Sequence, residues 1–320
     1  MIKKIAVLTS GGDAPGMNAA LRAVIRAGLY NGLEMHVIYN GYRGLVDGDI
    51  HQVNKDFTAD IINRGGTIIK SARLPEFKEP AVVDQAVQRL RDYDIDALVG
   101  IGGDGTYRGL LDLARRGFPV VGIPASIDND VASTDYTIGF MTALGTICDC
   151  IDKIKDTSNS HQRCSIIEVM GRHCGDLAIY SSVAEGAELC LTAEHPYPEE
   201  RIFKKLRKMK AQKKGHAIVV VSENLLDVNE LSKKIEENTG FATNVEVLGH
   251  LQRGGAPCAF DRILASRMGD KAIETLLNDE TARVVIASKN EDIIAIDIEE
   301  ALQMPRDTHE SMLKLVKHLQ

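Results

Sequence analysis

The chain has 320 residues, 44% hydrophobic and 26% charged, a balance that suits a globular protein of one large or two modest α/β domains. A formal net charge of −7, no Trp and only 5% aromatics argue against nucleic-acid partners, which favour basic surfaces and stacking platforms. No stretch reaches the ~18 apolar residues of a membrane span, and Ile5–Leu8 is too short for a secretion signal. The six cysteines form no C-x-x-C pair, so reduced thiols, no structural zinc and a cytoplasmic location are expected.

Short apolar runs alternate with amphipathic stretches. Ile5–Leu8 reads as a strand, followed by a glycine loop, a helix from about Met17 to Tyr30 and a strand at Met35–Tyr39. Val82–Arg91 reads as a helix, Ala97–Ile101 as a strand, Thr106–Arg115 as a helix and Pro119–Ile123 as a strand. Beyond these come a helix at Thr142–Lys155, a strand at Ser165–Val169, a helix at Asp176–Ala184 and a strand at Glu188–Leu191. Glu199–Ala211 is helical, His216–Val221 a strand, Asp227–Glu237 and Ala265–Leu277 helices, and Ala282–Ala287 a strand. This βα alternation predicts parallel sheets with helices on both faces. No linker marks a domain boundary. The basic tract Lys204, Lys205, Arg207, Lys208, Lys210, Lys213 and Lys214 has three readings: the solvated face of a helix, a helix end that binds an anionic effector, or an RNA-binding arm.

Three loops follow strands at their carboxyl ends, where ligands gather in open parallel sheets. Thr9–Asn18 carries glycines that let backbone N–H groups approach phosphate oxygens ahead of a helix. Gly102-Gly103-Asp104-Gly105-Thr106 sets a carboxylate in a phosphate cradle, as Mg²⁺ prefers. Pro124–Asp130 holds Asp128 and Asp130 two residues apart, a pair suited to a metal or to a reacting hydroxyl. Each also has a plainer reading: a tight turn, an aspartate capping the next helix, or ordinary Asp/Asn turn usage.

Taken in order, these loops resemble the phosphofructokinase family in its bacterial, ATP-dependent form. The family pattern L-T-S-G-G-D-x-P-G-M-N stands at Leu8–Asn18, G-G-D-G-[ST] at 102–106, and P-G-T-I-D-N-D as Pro124–Asp130. Ser160–Arg163, Glu168–Arg172, Leu248–Gly255 and Asp261–Arg267 also fit, and the likeness covers essentially the whole chain. The resemblance implies an α/β fold of two doubly wound, three-layer domains with mainly parallel sheets and the active site between them. The larger, ATP-binding domain would hold 1–138 and 251–303, and the smaller, sugar-phosphate-binding one 139–250 and 304–320. It implies ATP-dependent phosphorylation of fructose 6-phosphate at the 1-hydroxyl, giving fructose 1,6-bisphosphate and ADP, the committed step of glycolysis.

By the same resemblance Asp128 is the general base, Asp104 the Mg²⁺ ligand with Asp130 helping to organise it, and Arg172 the group that stabilises the transferring phosphoryl. Gly12, Arg73, Leu74, Gly103, Asp104, Gly105 and Thr106 match ATP-contacting positions. Ser126, Ile127, Asp128, Arg163, Met170, Gly171, Arg172, Glu223, Asn244, His250 and Arg253 match the sugar-phosphate site. Arg22, Arg26, Lys55, Lys155, Gly186, Glu188 and Lys214 match a pocket for ADP or phosphoenolpyruvate as effector. The family's usual state is a homotetramer, with active and effector sites completed across subunits.

Several positions depart from the family pattern. Ala125-Ser126 replaces Gly-Thr. Pyrophosphate-using relatives carry Asp at the position of Gly105 and Lys at that of Ala125, so ATP is the expected donor. Asn244 replaces an arginine that reaches the sugar phosphate of a neighbouring subunit, and the lost charge-assisted bond is worth about 1.5–3 kcal/mol. In the effector pocket Lys155 replaces an arginine, Glu185 a glycine, and Gln212 and Gly215 stand where basic residues are common, which predicts altered allostery. The alternatives are a pyrophosphate-dependent phosphofructokinase and a degenerate sugar-phosphate-binding regulatory subunit.

Overall fold

The computed structural model describes residues Met1–Leu319. In chain order its elements are β1 (Lys4–Thr9), α1 (Met17–Tyr30), β2 (Glu34–Ile38), α2 (Gly41–Asp47), β3 (Ile50–Val53), α3 (Pro80–Asp92), β4 (Ala97–Gly102), α4 (Asp104–Ala114) and β5 (Val120–Pro124). Then come α5 (Phe140–His161), β6 (Cys164–Val169), α6 (Asp176–Glu185), β7 (Leu189–Leu191), α7 (Glu199–Ala211), β8 (Ala217–Ser222), α8 (Val228–Thr239) and β9 (Thr243–Val247). The last are α9 (Ala259–Asn278), β10 (Arg283–Lys289), β11 (Asp292–Asp297), α10 (Ile298–Ala301) and α11 (Glu310–His318). The chain forms two units. One comprises Met1–Ile127, Val131–Thr142 and Arg253–Arg306, and the other Asp128–Asp130, Ala143–Gln252 and the residues from Asp307 onward.

The first unit holds a seven-stranded sheet in the order β11-β10-β5-β4-β1-β2-β3. Its interior pairs are parallel, and only the edge strands β3 and β11 run antiparallel to their neighbours. Every residue of β4 (A-L-V-G-I-G) is buried, as a strand covered on both faces requires. Ala6, Leu8, Leu98, Val120 and Val285 share one core with residues of α2, α3, α4 and α10. Helices α1 and α9 pack on each other and on the strands. They approach closely because Gly269 has no side chain; a Cβ there would come within 2.5 Å of the Ala23 Cβ.

The second unit is built on an all-parallel sheet, β7-β8-β6-β9. Its core joins Ile166, Leu189 and Val219 to Phe203 and Leu206 of α7 and Leu231 and Ile235 of α8. Asp227 caps α8, its carboxylate accepting from the Asn229 and Glu230 N–H groups at 2.8 and 3.1 Å.

The apolar pattern predicts the interior strands and long helices at their observed places and misses α2, β3, β9, β11, α10 and α11. The missed strands are edges. Neither β9 (T-N-V-E-V) nor β11 (D-I-I-A-I-D) has a buried residue; β9 alternates apolar and polar residues, and β11 carries only the short apolar run Ile293–Ile296 between two aspartates. Helix α9 starts at Ala259 rather than Ala265, and α5 runs from Phe140 to His161 rather than from Thr142 to Lys155. Helix α4 begins at Asp104 rather than Thr106, which moves the acidic residue of the second glycine loop into the helix's first turn.

Candidate active site

In the first unit the direction of strand order reverses at β1: β2 and β3 lie to one side, and β4, β5 and β10 to the other. A reversal of this kind opens a crevice outside the carboxyl ends of the strands. The loops after β1 and β4 meet there. Ser10 N–H donates to the Ile101 carbonyl at 3.0 Å, and the Thr106 hydroxyl donates to the Ser10 carbonyl at 3.2 Å. Gly102 makes this approach possible, since a Cβ would stand 2.3 Å from the Ser10 oxygen. The Ser71 hydroxyl holds the Gly11 carbonyl at 2.7 Å, and the Thr9 hydroxyl holds the Lys70 carbonyl at 2.8 Å. The segment leading to exposed Arg73 and half-buried Leu74 is thereby bound to the first loop. Arg253 lies against Gly12, with Nη1 4.0 Å from Asp13 Oδ1.

The third loop continues the same edge. Ala125 N–H donates to the Gly102 carbonyl at 3.1 Å, Ser126 N–H to the Ile138 carbonyl at 3.1 Å, and the Thr137 hydroxyl to the Ser126 carbonyl at 2.5 Å. Ala125 and Ile127 are buried and Ser126 is half-buried.

These residues fit Mg²⁺ and a polyphosphate. Asp104 is exposed in the first turn of α4, and Gly103 rather than Asp104 is the N-cap, with no side-chain cap bond. The capping reading of Asp104 is thus corrected. A Cβ at Gly103 or Gly105 would meet nothing within 4 Å, so open space lies on both sides of the carboxylate. One oxygen donor facing a roomy backbone cradle suits a cation that keeps most of its waters and takes phosphate oxygens. The charge is felt nearby: burial, then the Asp104 carboxylate, push the Tyr107 phenol well above its ordinary value.

The second unit gathers its candidates after β6, β8 and β9. Arg172 Nε lies 3.8 Å from Asp128 Oδ2; the carboxylate is buried and the guanidinium half exposed. Arg172 takes a left-handed φ of 53°, and its N–H donates to Glu223 Oε1 at 3.0 Å. The preceding Gly171, at φ 136°, admits no side chain because a Cβ would fall 2.3 Å from the Cys174 carbonyl. Met170 N–H donates to Gln252 Oε1 at 3.0 Å. Burial, with Glu223 and Asp227 nearby, raises the Glu168 carboxyl, so negative charge is concentrated beneath this edge. Arg163 is half-buried at the entry to β6, while Asn244 on β9 and His250 in the 3-10 turn Gly249–Arg253 are exposed. The residues brought together here are Asp128, Met170, Gly171, Arg172 and Glu223.

The effector candidates divide between the units. In the first, Arg22 and Arg26 stand one turn apart on α1, and Arg26 Nε donates to the Thr58 hydroxyl at 2.9 Å beside exposed Lys55. Burial and the Arg26 charge hold Arg22 below the usual guanidinium range. In the second, Lys155 is ion-paired with Glu185, Lys214 Nζ lies 2.6 Å from Glu188 Oε1, and Gly186 ends α6. Both lysines are thus already neutralised by carboxylates of the same unit.

Several structural partners carry no role in the sequence reading. Gln252 is fully buried and spans Met170 N–H and the Gly249 carbonyl; it lies inside the L-G-H-L-Q-R-G-G run, where it could have been found. Asp176 is buried and accepts from the Asn129 amide at 2.9 Å, with His309 Nε2 3.2 Å from the same oxygen. Asp261, from the D-R-I-L-A-S-R run, accepts from the N–H groups of Gly139 and Thr142 and from the Thr142 hydroxyl at 3.0, 2.8 and 2.5 Å. His309 gave no signal in the sequence, because its partner is supplied by another helix.

Comparison with known proteins agrees with this geometry. The family profile described as Phosphofructokinase matches residues 4–276. An ATP-dependent 6-phosphofructokinase of Teredinibacter turnerae is 51% identical over 320 residues, covering 100% of both chains. One from Photobacterium profundum is 52% identical over the same span, again covering 100% of both. Among solved structures, Pichia pastoris phosphofructokinase in the T-state superposes with a TM-score of 0.92 at 33% identity; it covers 100% of this chain and 40% of its own.

Proposed function

The chain belongs to the phosphofructokinase family, and from that premise we propose that it transfers the terminal phosphoryl group of ATP to the 1-hydroxyl of fructose 6-phosphate. The observation that carries this reading is the pairing of buried Asp128 with Arg172 at 3.8 Å, on a loop whose glycine-rich counterparts after β1 and β4 form a phosphate cradle.

Asp128 accepts the proton of the 1-hydroxyl as the sugar oxygen bonds to the γ-phosphorus. The bond from that phosphorus to the bridging oxygen breaks, and ADP leaves. Arg172 is poised to neutralise charge on the transferring group, since its planar fork suits phosphoryl oxygens. Asp104 would hold Mg²⁺, which when bound supplies charge neutralisation on the β- and γ-phosphates. Gly12, Arg73, Leu74, Gly103, Gly105 and Thr106 line the donor side. Ser126, Ile127, Arg163, Met170, Gly171, Glu223, Asn244, His250 and Arg253 bind the sugar phosphate. Gly105, where a side chain would meet only open space, and the small buried Ala125 both favour ATP over pyrophosphate.

Arg22, Arg26, Lys55, Lys155, Gly186, Glu188 and Lys214 form the effector site for ADP or phosphoenolpyruvate, and the Lys155–Glu185 pair weakens it. The working form is a homotetramer in the cytoplasm. No helix among the described residues is long and apolar enough to cross a membrane. A coupled assay of fructose 1,6-bisphosphate formation, with ATP or pyrophosphate and with or without ADP, tests the reading. ATP-dependent product supports it, and product from pyrophosphate alone, or from neither donor, overturns it.

A further inference from the structure

The loop that carries Asp128 is pinned by residues outside the reacting set. Asn129, the next residue, is buried and takes a left-handed φ of 52°, so the chain turns between Asp128 and Asp130. A residue other than glycine keeps such a backbone only where its surroundings fix it. The side chain of Asn129 supplies a fixing contact: its Nδ2 donates to Asp176 Oδ2 at 2.9 Å.

Asp176 is itself held from several directions. It opens α6, whose first turn is buried at Asp176, Leu177, Ala178 and Ile179. The preceding Gly175 donates its N–H to Glu194 Oε1 at 2.8 Å and has no room for a side chain, since a Cβ would stand 2.7 Å from Thr192 Cγ2. His309, the N-cap of α11, places Nε2 3.2 Å from Oδ2, the oxygen that Asn129 also uses. The His309 ring meets the Tyr180 ring edge-on at 5.6 Å, and its backbone N–H donates to Asp307 Oδ1 at 2.9 Å. His195 Nε2 donates to the carbonyl of the intervening Thr308 at 2.9 Å. A buried carboxylate is costly unless it is paired and hydrogen-bonded, and an apolar side chain would fill the same place at less cost. None of the roles proposed above for ATP, sugar-phosphate or effector residues uses it.

We propose that Asp176 is a positioning residue for phosphoryl transfer: through Asn129 it fixes the turn that presents Asp128, and His309 holds its carboxylate in place. A general base must stand within hydrogen-bond reach of the proton it takes, and a misplacement of about 1 Å can cost about 10²-fold in rate. A bond to the residue next to the base therefore governs turnover without touching substrate. The inference rests on the role proposed for Asp128.

The test compares wild type with Asp176→Ala, Asp176→Asn, Asn129→Gly and the double variant Asp176→Ala/Asn129→Gly in the coupled assay with ATP and fructose 6-phosphate. Asp176→Ala removes the acceptor, and Asp176→Asn keeps an acceptor oxygen of the same reach. Asn129→Gly keeps the left-handed turn accessible and removes the amide. We expect kcat to fall about 10–10²-fold in Asp176→Ala and in Asn129→Gly, and Asp176→Asn to recover most of the loss. The double variant should be no slower than the slower single one, as for two residues that act through one bond. Hydrogen–deuterium exchange, which needs no turnover, should rise in residues 124–130 of Asp176→Ala and stay unchanged in β6 and β8.

Wild-type kcat in both single variants overturns the proposal. So do additive losses in the double variant, or exchange that rises throughout the second unit, because the pair then serves stability alone. If Asp176→Ala does not fold, Asn129→Gly decides by the same two readouts. Near-wild-type turnover in Asp128→Asn removes the base and this inference with it. Turnover lost in Asp128→Asn but kept in Asp176→Ala removes the positioning role alone.

Discussion

Asp128 is buried and held 3.8 Å from Arg172, so the proposed base sits in a fixed pose before any substrate arrives. Asp128→Asn keeps the shape and removes the basicity. We expect turnover to fall by about 10²–10⁴ with the KM for fructose 6-phosphate little changed. Near-wild-type turnover in the coupled assay would remove Asp128 from the mechanism. Asn244 is exposed on β9, opposite Ser165 of β6, with nothing to prevent a longer side chain. Asn244→Arg is expected to lower the KM for fructose 6-phosphate by about tenfold or more through the restored charge-assisted bond; an unchanged KM counts against the role given to this position. Asp128 was legible as one of two aspartates in a loop at the carboxyl end of a strand, whereas the role given to Asn244 came only from the resemblance to the family. The partners of Asn129 were not legible, because a hydrogen bond to Asp176 depends on where two separate stretches of chain come to lie.

Two elements depend on single buried ionisable groups. Asp261 of α9 satisfies the first N–H groups of α5, where unpaired donors would otherwise be buried. Burial raises its carboxyl despite those bonds, the mark of a charge kept inside at some cost. Asp261→Ala leaves Gly139 and Thr142 N–H unsatisfied and should cost roughly 2–4 kcal/mol, read from urea unfolding; a loss below experimental error would refute the capping role.

On β2, His36 is buried, its Nδ1 has no partner among the described residues, and burial lowers its pKa although Glu34 opposes the shift. The folded state therefore binds a proton less readily than the unfolded chain. The stability it contributes is full above the unfolded value of 6.5 and is lost as pH falls through and below it. His36→Gln should lose less melting temperature than wild type between about pH 7.5 and pH 5.5, and equal losses would exonerate His36. The interior strands around these groups are plain in the sequence because both their faces are buried, whereas β9 lies at an edge and reads as a polar segment.

At the scale of the whole molecule, the proposed sugar-binding edge of the second unit carries exposed Val247 and Leu251 beside Asn244 and His250. Apolar side chains next to substrate residues suit an edge covered by another subunit. Light scattering should give about four times the 34.9 kDa of one chain. Leu251→Glu should yield smaller species and a raised KM for fructose 6-phosphate; a variant that stays tetrameric would separate this edge from assembly.

The sequence by itself determined the α/β class, the interior strands and the glycine loops after β1 and β4, because continuous apolar runs and obligatory glycines are local requirements. It also carried the family likeness, in which Gly105 and Ala125 depart from the pattern of the pyrophosphate-using relatives. The basic tract of α7 it could only list. Tertiary structure alone decided which of those lysines are neutralised, by bringing Glu188 from another stretch of the chain to within 2.6 Å of Lys214. Charge along a helix is written in the chain, but its compensation depends on residues that only folding brings within a few ångströms.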